Sequence, residues 1–149
     1  MDIGRWSRGW AAAGLIVALA AAGAAGAQPV RVRLDQETAI GGVGVACTGI
    51  GQTKNDPKWQ AYPVRVEFAG PSGDYLADEV LTLADGHGQT LLSVACEGPW
   101  ILLKLPPSQR YVLTATLAHS STPAKEMPIA APSHGQARFV FTFPAGPAG

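Results

Sequence analysis

From Tyr62 to Phe143 the chain is a series of short runs in which every second residue is apolar, and each run is cut by a glycine or proline turn. Period two places the apolar side chains of a strand on one face, so this pattern demands a partner layer. In Val64-Arg65-Val66-Glu67-Phe68 the valines and the phenylalanine share a face. Leu92, Val94 and Cys96 do so in the run Thr90 to Cys96, and Ile101, Leu103 and Leu105 do so after Trp100. Tyr111, Leu113, Ala115 and Leu117 follow, then Phe139, Phe141 and Phe143. Gly70-Pro71-Ser72-Gly73-Asp74 and Pro106-Pro107-Ser108-Gln109 are turn chemistry, and Asp85-Gly86-His87-Gly88 is a hairpin signal. Tyr75 to Leu83 reads as a strand, and Lys125 to Ile129 as a short edge strand interrupted by Pro128. No window shows a helical period. The expectation is an all-β domain, a sandwich of seven or eight strands over residues 62–143. Trp100, beside alternating aliphatics, reads as core.

Residues 28–61 are expected to be an irregular, glycine-rich segment. Val30 to Leu34 alternates and suits a short first strand, but five glycines between Gly41 and Gly51 suggest a loop with unusual backbone angles. Residues 144–149 read as a flexible tail.

The N-terminus has a different character. Arg5 and Arg8 precede the apolar stretch Ala11–Ala24, and Ala25-Gly26-Ala27 is a small-x-small site. This is the pattern of a secretory signal peptide over residues 1–27, cleaved after Ala27. The stretch is short and rich in Ala and Gly for a membrane anchor. No cysteine lies near the cut and no adjacent arginine pair is present, which argues against a lipoprotein and against twin-arginine export. The mature chain is expected in the periplasm or outside the cell, with no stable membrane insertion.

The whole chain carries 11 basic and 11 acidic side chains. Removing Arg5, Arg8 and Asp2 with the leader leaves that balance nearly unchanged. Near-zero charge excludes a basic nucleic-acid surface. Cys47 and Cys96 are the only cysteines. In an oxidising compartment they are expected to pair; two free thiols or a metal site are the alternatives, the latter lacking ligands at zinc spacing.

Three segments together resemble a known family. They are Asp78-Glu79-Val80-Leu81-Thr82-Leu83-Ala84-Asp85-Gly86, then Glu97-Gly98-Pro99-Trp100-Ile101-Leu102-Leu103-Lys104-Leu105-Pro106-Pro107, then Tyr111-Val112-Leu113-Thr114-Ala115-Thr116-Leu117. Their order resembles the carboxypeptidase regulatory-like domain, a transthyretin-like sandwich. It is closer still to small exported bacterial proteins with a glycine-rich segment ahead of the sandwich, here Gly41-Gly42-Val43-Gly44. The resemblance covers roughly Gly41 to Phe143. It departs where Ser108-Gln109-Arg110 replaces the family's glycine before Tyr111. It implies a transthyretin-like or immunoglobulin-like sandwich and a non-catalytic accessory role. The purine-pathway hydrolase of the same fold ends in Tyr-Arg-Gly-Ser, whereas this chain ends in Pro147-Ala148-Gly149.

The sequence holds few motifs that carry chemistry. The segment Gly44 to Ile50 has the glycine spacing of a phosphate loop but Ile50 in place of the lysine, and Gly42-x-Gly44 lacks the third glycine of a dinucleotide fingerprint. His87, His119 and His134 sit in or beside turns, without metal-ligand spacing. Asp74, Asp78, Glu79, Asp85 and Glu97 read as single or turn carboxylates, with Asp78 and Glu97 a pair that could line one end of the sandwich. Ser72 lacks a nucleophile elbow. No catalytic, cofactor or metal site is expected. Trp59 and Tyr62, in a polar and turn-rich stretch, are the candidate ligand surface. The expected function is that of an exported, non-enzymatic envelope protein binding or bracing an envelope protein or glycan. A carbohydrate-binding module using Trp59 and Tyr62 is the second reading, and a hydrolase with an unrecognised site the third.

Overall fold

A computed structural model describes residues 28–118 and 120–144. The expected leader 1–27 and residues 145–149 of the expected tail lie outside them. Among the described residues, ten strands form two five-stranded sheets. One sheet holds β1 (Val30–Val32), β6 (Thr90–Cys96), β5 (Glu79–Asp85), β8 (Arg110–Leu117) and β9 (Lys125–Ala130), in that spatial order. The other holds β10 (Ala137–Thr142), β4 (Val64–Ala69), β7 (Trp100–Lys104), β3 (Val43–Thr48) and β2 (Gln36–Ile40). Two edge strands pair in parallel, β1 with β6 and β10 with β4; the remaining pairs are antiparallel. The all-β sandwich read from the sequence is correct, with ten strands in place of seven or eight.

The core follows the alternation. Val64, Val66 and Phe68 of β4, with Ile101 and Leu103 of β7, face Leu81 and Leu83 of β5 and Leu113 of β8, all without exposed surface. The Phe68 and Phe141 rings stack with centroids 5.8 Å apart. The Asp85-Gly86-His87-Gly88 hairpin joins β5 to β6, and Asp85 Oδ1 accepts from the backbone N–H groups of His87 and Gln89. Lys125–Ala130 is an edge strand, as expected, with Pro128 inside it.

The boundary at residue 62 needs correction. Residues 28–61 are not an irregular prelude: they supply β1, β2 and β3, and β3 lies between β7 and β2 in its sheet. Glycine disguised the alternation of Val43, Val45 and Cys47. Gly41 and Gly42, both with positive φ, form the tight turn between β2 and β3, and a Cβ on Gly41 would meet the Leu91 carbonyl oxygen at 2.7 Å.

Cys47 of β3 and Cys96 at the end of β6 form a disulfide with a Cα–Cα distance of 5.7 Å, which ties the two sheets together. Among the described residues, no helix is long and apolar enough to cross a membrane.

Candidate functional site

The outer face of the sheet containing β4, β7 and β3 carries most of the polar and aromatic detail. β7 reads Trp-Ile-Leu-Leu-Lys, so it is apolar on both faces and its outer side needs a cover. Two short 3-10 turns, Gln52–Asn55 and Pro57–Ala61, provide it. Asp56 caps the second turn, accepting from the Lys58 N–H at 3.0 Å, and Pro57 starts it.

This cover contains the two residues expected to form a ligand surface. Trp59 and Tyr62 are each only 2% exposed and pack with Ala46 and Leu102. The Trp59 indole N–H donates to the Thr53 carbonyl at 2.7 Å, and the Tyr62 hydroxyl donates to Glu37 Oε1 at 2.7 Å. Burial, then the Glu37 carboxylate, hold the Tyr62 hydroxyl well above its usual pKa. Gln136 Nε2 donates to the carbonyls of both residues at 2.9 Å. These rings are core, and no ligand can stack on them; the glycan-binding surface built on them is corrected accordingly. Leu102 and Ala46, outward by phase yet apolar, were the sequence signal for such a cover.

Farther along the same face lies an ion network. Glu67 is 1% exposed, and burial of a charge requires partners. It contacts Arg138 of β10 through that residue's Nε, and Arg65 Nε lies 3.8 Å away. The Arg65 guanidinium carbon sits 4.4 Å from the centre of the Trp100 ring. Trp100 is buried, as expected, and Gly49 passes directly over it: a Cβ there would lie 2.7 Å from its Cγ.

Tyr75 completes the network from a loop. Its hydroxyl donates to Glu67 Oε1 at 3.1 Å, and its ring meets Trp100 edge-on at 6.1 Å. The rest of the ring is open, 47% exposed, and Ile50 nearby is 49% exposed. The two line one cavity of about 340 Å³ with Leu76, Ala77 and Pro99. The sequence reading missed both, because it placed Tyr75 inside a strand; that strand begins at Glu79, and Tyr75 makes only an isolated bridge to Ala69.

The Asp78 and Glu97 pair is brought together, at the end of the sheet containing β5 and β6. Both line a cavity of about 280 Å³ with Arg31 and Glu79. Glu97 accepts from the Leu34 N–H at 3.4 Å and from Arg31 Nε at 3.2 Å, and these donors hold its carboxyl below the usual range. Glu79 is not a turn residue. It is the first residue of β5, fully buried and in phase with Leu81 and Leu83. Burial pushes its carboxyl up to about 9, its own amide N–H acting against this and the Asp78 charge adding to it.

His87 and His134 are exposed, and His119 lies outside the described residues. Among the described residues, no three His, Cys, Asp or Glu side chains gather where they could hold a metal ion. Comparison with known proteins finds no family model that matches the chain and no significant match among curated proteins.

Proposed function

We propose that this is an exported, disulfide-braced β-sandwich that works by binding another component of the cell envelope, with no catalysis of its own. The observation that carries the reading is Tyr75. An exposed aromatic ring whose hydroxyl is held by a buried carboxylate, and whose edge rests on Trp100, loses little freedom when a partner covers it. Ile50 extends the apolar surface, and the cavity between them accepts a protruding side chain. The contact is the loop face formed by Ile50, Tyr75, Leu76 and Pro99.

Export is supported by the leader pattern of residues 1–27 and by the Cys47–Cys96 bond, since disulfides persist in oxidising compartments. The likeness to carboxypeptidase regulatory-like domains points the same way, toward an accessory module.

The test is capture from envelope extract with the wild type, Tyr75→Ala and Ile50→Asp as parallel baits. A component retained by the wild type and lost from both variants supports the proposal. The same captured set on all three baits, or none on any, overturns it.

A further inference from the structure

A sheet ends in strands whose outer N–H and C=O groups lack a ladder partner, and a fold that stays alone protects them. Most of the edges here are protected. β9 is interrupted by Pro128, which has no N–H to give. β1 is only three residues long. At β10 the Lys125 ammonium donates to the Thr142 carbonyl, and the Arg138 side chain is drawn to Glu67. β2 carries none of these devices. It reads Gln36-Glu37-Thr38-Ala39-Ile40, its first four residues are exposed, and among the described residues no strand pairs with its outer side. It holds neither proline nor lysine. Its one charge, Glu37, already meets Lys58 Nζ at 3.7 Å and the Tyr62 hydroxyl.

The hairpin decides which backbone groups point outward. Gly41 and Gly42 form a two-residue turn closed by the pair Ile40 and Val43. Hydrogen bonding alternates along an antiparallel pair, so Thr38 bonds Val45 next. Glu37 and Ala39 therefore direct their N–H and C=O groups away from β3. The Asp35 N–H, which donates to the Cys47 carbonyl at 2.7 Å, keeps the same phase.

Two outward residues on either side of Thr38 are self-complementary. When a second β2 approaches antiparallel about a two-fold axis at Thr38, Glu37 of each copy faces Ala39 of the other. Each facing pair then exchanges both of its N–H···O bonds. The side chains suit this register. Glu37 meets an alanine, Thr38 meets Thr38, and Gln36 meets Ile40. An axis at Glu37 would set like charges opposite each other, and an axis at Ala39 would pair Glu37 with the Gly41 turn, which is not extended.

We propose that β2 pairs antiparallel with β2 of a second copy of this chain, about a two-fold axis at Thr38, joining two five-stranded sheets into one. The contact is isologous, so it closes at the dimer. With 11 basic and 11 acidic side chains, two copies meet little net repulsion. Strands this short bury less than a standard interface, so the dimer is weak and concentration-dependent. It is independent of binding at Tyr75, which lies beside β4, with β7 and β3 between that strand and β2.

The experiment is sedimentation equilibrium of the purified, disulfide-bonded protein over a concentration series, with cysteine crosslinking beside it. The expected result is reversible monomer–dimer association. Thr38→Lys sets two ammonium groups opposite each other, and Ala39→Pro removes an outward N–H without taking a bond from β3. Each should weaken association about tenfold or more while leaving the melting transition in place. Thr38→Cys should give a crosslinked dimer on mild oxidation, because facing residues bring their Cβ atoms within disulfide range. Gln36→Cys, which faces Ile40, should not. Tyr75→Ala should dimerise like the wild type. A monomer up to about 1 mM, association unchanged in both Thr38→Lys and Ala39→Pro, crosslinking from Gln36→Cys as ready as from Thr38→Cys, or loss of the dimer in Tyr75→Ala overturns the proposal.

Discussion

The Tyr75 hydroxyl donates to Oε1 of Glu67 across 3.1 Å, joining a half-exposed loop residue to a buried carboxylate in the middle of a sheet. Glu67 is in turn held by Arg138 from the neighbouring edge strand. The loop face is thus built on an ion network that also secures β10 to β4. Tyr75→Phe keeps the ring and removes one hydrogen bond, with an expected loss of about 1 kcal/mol in urea unfolding. Glu67→Gln leaves Arg138 and Arg65 without their anion and should cost about 2–3 kcal/mol, discounted for the partial exposure of Arg138. A smaller loss for Glu67→Gln than for Tyr75→Phe would contradict this ordering.

The disulfide spans 49 residues of sequence. Closing a loop of that length restricts the unfolded chain by about 4 kcal/mol in the chain-entropy model. Reduction should lower the urea midpoint accordingly. Intact-mass analysis after alkylation without reductant should find no modified thiol. Free thiols in the native protein would refute the bond.

Stability should fall as pH rises through neutrality. Glu79 titrates at about 9 when folded, against an ordinary value of 4.5. A raised carboxyl contributes fully below the unfolded value, and its contribution is lost as pH climbs through the folded one. Between these limits the slope is about 1.4 kcal/mol per pH unit. Glu79→Gln cannot ionise, so its profile should be flatter over that window and lie above the wild type on the alkaline side. Parallel profiles for the two proteins would show that Glu79 does not titrate in this way.

Trp59 belongs to the cover over Leu102 and Ala46. Trp59→Ala should therefore cost about 3 kcal/mol or more, as for other buried tryptophans. Glycan fragments should produce no fluorescence change that depends on Trp59. A saturable fluorescence response abolished by Trp59→Ala in a protein of undiminished stability would reverse the assignment. Leu103→Asp, in the centre of the core, should abolish the melting transition.

The legible parts of the fold were those in which one residue in two is a large apolar one facing the core. β6, β8 and β10 announce themselves through Leu92-x-Val94-x-Cys96, Tyr111-x-Leu113-x-Ala115 and Phe139-x-Phe141-x-Phe143. β2 does not, because it is a free edge whose first four residues are exposed, so burial imposes no pattern on it. β3 was hidden for another reason: glycines at 41, 42 and 44 suggest a loop, yet Gly44 is a strand residue with the Lys104 side chain 3.0 Å from where its Cβ would sit. The cover of Trp59 and Tyr62 depends on contacts with Glu37, Leu102 and Gln136, which no local window contains. Glu79 was legible in principle. Its phase with Leu81 and Leu83 turns it inward, whereas its neighbourhood to Asp78 suggested a solvated turn.

Contact between the Ile50 and Tyr75 loop face and a partner can be read in the cell. A photo-crosslinking residue placed at position 50 of the exported protein in living cells, with one at exposed Glu126 on the β9 edge as control, tests it most directly. A discrete adduct is expected from position 50, absent from position 126 and lost when Tyr75→Ala is added. No adduct from position 50, or the same adduct from both positions, would contradict it.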